Sequence, residues 1–264
     1  MKVQTRSAGD RPAAATYALG VVSYLNARPL YEGLADRRNL TLKPAVPADL
    51  AEMLLAGGCD AALLPVVDYW RHKDRLQPVS DACIASDGET MTVRVFAKRP
   101  AGQIQRLHVD GESHTSIILA QIIWRELYGR KLDLVPWKPG DSDGCDAVLL
   151  IGDKVVSHAP VGFGFEVDLG AAWKYLTGLP CVFAGWYGRA DRDFTDLSAV
   201  LSKARDRGRA EAERIARRAA ARHGWPQETA IRYLTRTLKF QLTDAMRSGM
   251  DRFFTLAEKH GLLP

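Results

Sequence analysis

Small hydroxyl and amide side chains follow two apolar stretches of the chain, and their positions suit the binding of an anion. The first stretch covers residues 17–22 and the second residues 107–109, and a helical pattern comes after each polar group. Backbone N–H groups at a helix start, the positive end of the helix dipole and hydroxyl side chains together bind a carboxylate or a phosphate. Such side chains also serve as simple helix caps, and two equivalent turns facing one cleft favour the anion site. The candidate residues are Ser23, Asn26, Ser113, Thr115 and Ser116.

The first half of the chain surrounds its polar turn with a strand–helix–strand pattern. The strand predicted at 17–22 leads into a helix that has Pro29 in its first turn, where proline is well tolerated. A second helix is predicted at 48–56. The continuous apolar run at 59–64 ends at Pro65 and is typical of a strand that is covered on both faces in a parallel sheet.

The second half repeats this order. After the strand at 107–109 comes a helix whose apolar residues recur at spacings of three and four between 118 and 123, and it should end near Gly129. Another continuous apolar run, at 145–151, ends at Gly152. The sequence therefore predicts an α/β protein in which a βαβ-type unit occurs twice.

Other segments connect or follow the two units. They are predicted strands at 79–85, 91–98 and 181–186, a short helix at 173–177, and helices from 195 onward with breaks near 224–226 and 248–249. Two similar α/β units joined by extended segments indicate two lobes with a ligand cleft between them. An anion site on each side of that cleft suits a small ligand with two negative charges.

Several classes of protein are excluded by motifs that the chain lacks. It has no GxGxxG after its first strand, no GxxxxGK[ST] and no GxSxG, so neither a nucleotide cofactor nor a serine nucleophile is indicated. The four cysteines and six histidines have no metal-ligand spacing, and we expect buried free thiols and no metal site. Residues 1–16 have no apolar core of a secretory signal, and no run is long enough to span a membrane. We expect a flexible N-terminal extension at 1–16, a cytoplasmic location and no membrane partner.

Much of the net charge of +5 comes from an arginine-rich stretch at 202–222. Because alanines and Ile215 can form an apolar side of a helix there, the stretch is interpreted as a solvated helix face. No nucleic-acid-binding motif supports the alternative, so no nucleic-acid partner is expected. Oligomeric state is not indicated by the sequence.

Five motifs occur in order along the chain: VVSYLNARPL at 21–30, DAALLP at 60–65, ASDG at 85–88, LLIGDK at 149–154 and DLGAAWKYLTGLP at 168–180. Taken together, they resemble the chorismate dehydratase family of the futalosine route to menaquinone. The resemblance implies a two-lobed, periplasmic-binding-protein-like type II fold without export. One lobe would be formed by 17–98 with 187–264 and the other by 99–186. The implied reaction removes water from chorismate to give 3-[(1-carboxyvinyl)oxy]benzoate, with no metal or organic cofactor.

The resemblance also implies roles for individual residues. The hydroxyl-rich turn at 113–116 would bind one carboxylate of the substrate, and Asn26 and Thr92 would hold or polarise the reacting end. Further candidate substrate-binding residues are Ser23, Ser86, Asp87, Gly152 and Asp153. Three groups could accept the ring proton: Asp87, Asp153 or the side-chain carboxylate of the substrate itself, which is slightly favoured.

The chain departs from the family pattern at two positions. Thr92 stands where the family commonly has serine, and its hydroxyl can do the same work. His114 stands where the family commonly has arginine, which removes a permanent cation and a bidentate donor.

Three other functions remain as alternatives. A non-catalytic small-carboxylate-binding protein would have the same lobes, and export would normally accompany it. The sister enzyme that forms 1,4-dihydroxy-6-naphthoate has a related fold and a different opening motif. A ligand-sensing regulatory domain would need a DNA-binding helix-turn-helix, for which the residues before Tyr17 leave no room.

Overall fold

The structure, a computed structural model, describes residues 16–138 and 145–263. The predicted N-terminal extension lies outside the described residues except for residue 16. Within the described chain, the strands are β1 (Tyr17–Val22), β2 (Leu40–Ala45), β3 (Ala61–Pro65), β4 (Leu76–Ser86), β5 (Val93–Ala97), β6 (Arg106–Val109), β7 (Asp133–Pro136), β8 (Ala147–Ile151), β9 (Phe165–Asp168), β10 (Cys181–Arg189) and β11 (Leu238–Gln241).

The α-helices between these strands vary from one turn to four turns. They are α1 (Arg28–Tyr31), α2 (Leu50–Leu55), α3 (Val66–Arg71), α4 (His114–Tyr128), α5 (Lys154–Ser157), α6 (Leu169–Thr177), α7 (Thr195–Ala210), α8 (Ala212–Ala219), α9 (Gln227–Arg232) and α10 (Asp244–Lys259). A 3₁₀ turn at Leu25–Ala27 and a π-helical turn at Tyr233–Thr237 complete the elements that concern the site.

Two mixed sheets form the two predicted lobes. The first has the strand order β11-β4-β10-β3-β1-β2, and the second has the order β7-β6-β8-β5-β9. In the first sheet β1 lies between its parallel partners β2 and β3, and in the second β6 lies between its parallel partners β7 and β8. The repeated βαβ-type unit is thereby confirmed. Every residue of β3 and of β8 is buried, as their continuous apolar runs predicted.

The chain passes between the sheets twice, after β4 and after β9. The predicted lobe boundaries at 98 and 187 differ from this sheet membership, because β5 belongs to the second sheet and β10 to the first. Apolar alternation identifies a strand, but its partner is set by pairing with distant strands. β5 pairs antiparallel with β8 and β9, and β10 with β3 and β4.

Helix ends agree with the sequence in α4 and disagree with it in the C-terminal region. Ser113 caps α4, and Gly129 ends it in the left-handed conformation with φ of 62°. The predicted break near 248–249 was wrong, because Gly249 lies inside α10. A side chain there would collide with the Pro180 carbonyl oxygen, so this glycine permits close packing. The prediction of helix alone from 195 onward also missed β11, a four-residue edge strand.

The remaining sequence predictions concern burial. All four cysteines are free and buried, as expected. Arginines 207, 209, 214, 217, 218 and 222 of the basic stretch are exposed, which confirms a solvated helix face for them, whereas Arg205 is buried and pairs with Asp81 and Asp206. No helix within the described residues is long and apolar enough to cross a membrane.

Candidate active site

A cleft lies between the two sheets, at the carboxyl ends of several strands. Its walls come from the ends of β1, β3, β4 and β8, the segments after β1 and β8, part of β10, the crossover before β5, the start of α4, and the C-terminal π-helical turn. The lining residues are Val22, Tyr24, Asn26, Pro47, Leu63, Pro65, Ile84, Thr90, Thr92, Val93, Ser113, Ser116, Ile151, Gly152, Phe183, Ala184, Tyr233 and Leu238. Five of the predicted site residues are among them: Asn26, Thr92, Ser113, Ser116 and Gly152.

Asn26 presents an unpaired amide oxygen at this cleft. The residue lies in the 3₁₀ turn between β1 and α1, and its Oδ1 is buried without a hydrogen-bond partner among the described residues. Its side chain also lies close to the hydroxyl of Tyr233. Because Oδ1 has no partner, it is free to accept a hydrogen bond from a ligand.

Tyr233 was not singled out from the sequence. Its Oη lies 2.6 Å from Oγ1 of Thr92, and both residues are buried. Its ring stacks on the indole of Trp225, with 4.8 Å between the ring centroids. Burial is the main cause that raises the pKa of Tyr233 above its ordinary value, so the phenol keeps its proton at neutral pH.

The N-terminus of α4 carries two residues of the predicted anion site, Ser113 and Ser116. Ser113 Oγ accepts from Ser116 N at 3.3 Å and lies 2.9 Å from Ser116 Oγ. Both serines line the cleft at the start of a 15-residue helix, whose dipole places partial positive charge there. This end of the cleft can therefore bind a carboxylate.

The crossover that carries Thr92 is held by the carboxylate of Asp168. Oδ2 accepts from Met91 N at 2.9 Å and from Thr90 Oγ1 at 3.0 Å, and Oδ1 accepts from Thr90 N at 2.9 Å. Met91 has φ of 64°, the one positive value at a non-glycine residue in the described chain. This left-handed conformation costs about 1–2 kcal/mol, which the hydrogen bonds to Asp168 offset.

Gly152 lies against the ring of Tyr24, and the contact joins the two lobes. Its φ is 63°, and a Cβ there would approach the Tyr24 ring to 2.9 Å. The Tyr24 hydroxyl donates to Glu112, which also pairs with Lys154 at 2.8 Å. Burial, followed by this bond to Glu112, raises the pKa of Tyr24 above its ordinary value.

The other five predicted residues do not line the cleft. Ser23 is exposed, and Ser86 is buried, where it donates to the Gly88 carbonyl oxygen at 3.0 Å. Asp87 pairs with Lys174 at 2.6 Å on the surface.

Thr115 and Asp153 instead join the lobes. Thr115 Oγ1 donates to Phe183 O and accepts from Val67 N, both at 3.4 Å. The Asp153 carboxylate bonds three groups of the first lobe, with distances of 2.6 Å to His223 Nδ1, 2.9 Å to Trp225 Nε1 and 3.3 Å to Leu25 N.

His114, which replaces the common arginine of the family pattern, also lies outside the cleft lining. Its Nδ1 is 2.6 Å from Oδ1 of Asp68, a buried carboxylate on α3. His114 therefore contacts the first lobe and is not among the described residues that line the cleft.

The described lining carries no aspartate, glutamate, lysine, arginine or histidine. Its polar groups are hydroxyls, one amide and backbone. Such a site acts by orienting a ligand and by placing dipoles around it, and any proton acceptor stronger than these groups must come from the ligand or from beyond the described lining.

Solved structures identify the class of fold. The chain matches the alkanesulfonate-binding protein SsuA of Xanthomonas axonopodis pv. citri with a TM-score of 0.67 and 14% identity, over 96% of each chain. It matches Escherichia coli SsuA with a TM-score of 0.63 and 16% identity, over 96% of this chain and 89% of the other. A protein from Archaeoglobus fulgidus gives a TM-score of 0.75 and 15% identity, over 95% and 99%. The fold is thus the type II periplasmic-binding-protein-like fold that the resemblance implied.

Sequence comparison is more specific than the fold. Residues 17–259 match the family model described as menaquinone biosynthesis, and the chain belongs to that family. It is 31% identical to the chorismate dehydratase of Thermus thermophilus over 271 residues, covering 93% of this chain and 96% of that relative.

Proposed function

We propose that this protein is a chorismate dehydratase, a hydro-lyase that converts chorismate to 3-[(1-carboxyvinyl)oxy]benzoate and water on the futalosine route to menaquinone. Family membership and the identity to the Thermus enzyme support the substrate. The observation that carries the proposal is the set of polar groups that line the cleft. It combines a helix N-terminus suited to a carboxylate with the unpaired Oδ1 of Asn26 and the hydroxyl of Thr92.

The substrate is a dicarboxylate, and we assign one carboxylate to the start of α4. Ser113 and Ser116 would donate to it, together with the free N–H groups of the first helical turn. We assign Thr115 to holding that helix end against the first lobe, since its hydroxyl is directed to Phe183 O. The ring hydroxyl of the substrate would then lie near Asn26 and Thr92.

The reaction needs one proton acceptor and one leaving group. The C–H bond beside the enol ether breaks, and its electrons form the new ring double bond as the C–O bond of the neighbouring hydroxyl breaks. We propose that the side-chain carboxylate of the substrate takes the ring proton, because Asp87 and Asp153 are committed to contacts outside the described lining. The departing hydroxide takes up that proton from the side-chain carboxylic acid and leaves as water, so atoms and charges balance.

Aromatisation supplies the driving force. The enzyme therefore needs to hold one conformer and to assist the departing hydroxyl, and a strong nucleophile is not required. This chemistry uses no metal or organic cofactor. The fold is also consistent with a carboxylate-binding protein without catalysis, and turnover separates the two functions.

The decisive experiment is to incubate the purified protein with chorismate and to follow the product by mass spectrometry. Loss of one water, with enzyme-dependent kinetics, is expected. Binding without loss of water would contradict the proposal and favour a binding protein, and absence of binding would exclude chorismate as the ligand.

Asn26→Ala tests the assigned site. We expect kcat to fall about 100-fold, since removal of a group that binds a reacting atom commonly has an effect of this order. Asn39→Ala, in the turn before β2, is the matched control and should retain wild-type kinetics. Unchanged kcat and kcat/KM in Asn26→Ala would remove Asn26 from the mechanism.

A further inference from the structure

Tyr233 lies next to both of the polar groups assigned to the reacting end. Its Oη lies 2.6 Å from Thr92 Oγ1, and the Asn26 amide is close to the same hydroxyl. It comes from the C-terminal segment, 141 positions from Thr92 in sequence. Only 1% of its surface is exposed, so its hydroxyl interacts with protein groups and with whatever occupies the cleft.

The directions of these hydrogen bonds follow from counting donors. Asn26 Oδ1 is unpaired, so the amide group that can face Tyr233 Oη as a donor is Nδ2. Tyr233 keeps its own proton, because burial raises its pKa, and a buried hydroxyl hydrogen without an acceptor would be costly. Thr92 Oγ1 is the acceptor within reach. The hydroxyl hydrogen of Thr92 is then free to point into the cleft.

We propose that Tyr233 is a positioning residue that sets which way these two groups face the substrate. Through it, Asn26 presents an acceptor oxygen and Thr92 presents a donor hydrogen to the ring hydroxyl that departs. The acceptor holds the hydroxyl in the ground state, and the donor stabilises negative charge that develops on its oxygen as the C–O bond breaks. This inference rests on the proposed dehydration and adds a residue to it.

The surroundings of Tyr233 hold its ring in place. The ring stacks on Trp225, and Trp225 Nε1 donates at 2.9 Å to Asp153 of the other lobe. The backbone at 233–237 is π-helical, a local irregularity that is frequent at functional sites. A contact between the lobes therefore also supports the hydroxyl of Tyr233.

Tyr233→Phe removes only the hydroxyl and tests the inference. We expect kcat for chorismate to fall about 10- to 100-fold while KM changes less than about threefold, because the lost contact acts on the departing group. Tyr187→Phe, a buried tyrosine of the same lobe outside the cleft lining, is the control and should keep wild-type kinetics. Urea unfolding of both variants checks that each is folded.

A double-mutant cycle distinguishes positioning from a general loss of structure. If Tyr233 acts through the Thr92 hydroxyl and the Asn26 amide, adding Tyr233→Phe to Thr92→Val should lower kcat clearly less than Tyr233→Phe does in the wild-type protein, because only the part that acts through Asn26 is left. Thr92→Ser keeps a hydroxyl at this position. In that background, Tyr233→Phe should lower kcat by the same factor as it does in the wild-type protein.

The outcomes separate this inference from the proposed function. Independent, multiplying losses in the double variant, or a Tyr233→Phe variant with wild-type kcat, would overturn the role of Tyr233 and leave the dehydratase proposal intact. A wild-type protein that does not dehydrate chorismate would overturn both.

Discussion

The carboxylate of Asp168 offers a direct test of how the crossover between the lobes is built. Its two oxygens accept hydrogen bonds from five protein donors: the N–H groups of Thr90, Met91, Gly170 and Ala171, and the Thr90 hydroxyl, with Thr90 N–H reaching both oxygens. In Asp168→Asn one oxygen becomes an NH₂ donor. Whichever way the amide turns, at least one backbone N–H then faces another donor, and the hydrogen bonds that remain are made to a neutral acceptor.

The cost can be estimated from these contacts. Each lost hydrogen bond to a charged acceptor contributes about 1.5–3 kcal/mol, and water can recover part of this because the Asp168 side chain is 11% exposed. We expect the free energy of unfolding to fall by about 2–4 kcal/mol, a large part of the roughly 5–15 kcal/mol typical of a folded protein. Met91 would also lose the bond that offsets its left-handed backbone, so Thr92 should move and kcat should fall about 10-fold or more.

Urea unfolding and chorismate turnover measure the two effects. The unfolding midpoint should fall by about 1 M. Asp191→Asn is the matched control, because that aspartate is exposed and pairs with Arg189 on the surface, and it should leave both quantities unchanged. If Asp168→Asn and Asp191→Asn behave alike, the crossover does not depend on this carboxylate, and the explanation given for the Met91 backbone fails.

Two further predictions follow from the cleft wall and from the buried thiols. Gly152→Ala should lower both the melting temperature and kcat, because φ of 63° is strained for alanine and its Cβ would meet the Tyr24 ring at 2.9 Å; unchanged values in thermal unfolding and turnover assays would contradict that contact. Burial raises the pKa of the thiols from 9.0 to about 11 for Cys59 and to about 12 for Cys83, so at about pH 8 an aromatic disulfide reagent should label them at an appreciable rate only after unfolding. The pKa of each thiol is higher in the folded state than in the unfolded state, so the folded protein keeps these protons to a higher pH. The contribution of the thiols to the free energy of unfolding is therefore fully present below pH 9.0 and is lost as the pH rises toward about 11–12. Urea titrations at several pH values would measure this loss.

The local sequence pattern was sufficient to predict most of the strands and helices. The apolar runs that became β3 and β8 are buried at every residue, and the Ser113 cap and Gly129 end of α4 could be read directly. These features depend on periodicity, on capping chemistry and on backbone preferences, all of which act within a few residues. The family resemblance, carried by short motifs near the turns, implied the type II fold that the solved structures match.

The tertiary structure was needed to establish which strands pair with each other and which groups each side chain contacts. The strands β5 and β10 were recognised as strands, but the sheet to which each belongs depends on distant pairing. Asp153 follows a strand end that faces the cleft, yet its carboxylate is used by His223 and Trp225. A sequence pattern reports how far a residue lies from a turn, and it does not report which distant donors will surround its side chain.

The two polar turns illustrate the same division. The sequence by itself placed Asn26, Ser113 and Ser116 at strand-to-helix turns, because such turns follow from local chemistry, and the structure brings all three to one cleft. Only the tertiary structure brought Tyr233 to Asn26 and Thr92, since that contact forms when the C-terminal segment packs across the first lobe. A hydrogen bond between residues 141 positions apart leaves no periodic signal in either segment. Tyr233, the residue that we infer to orient the reacting end, could therefore be identified only from the tertiary structure.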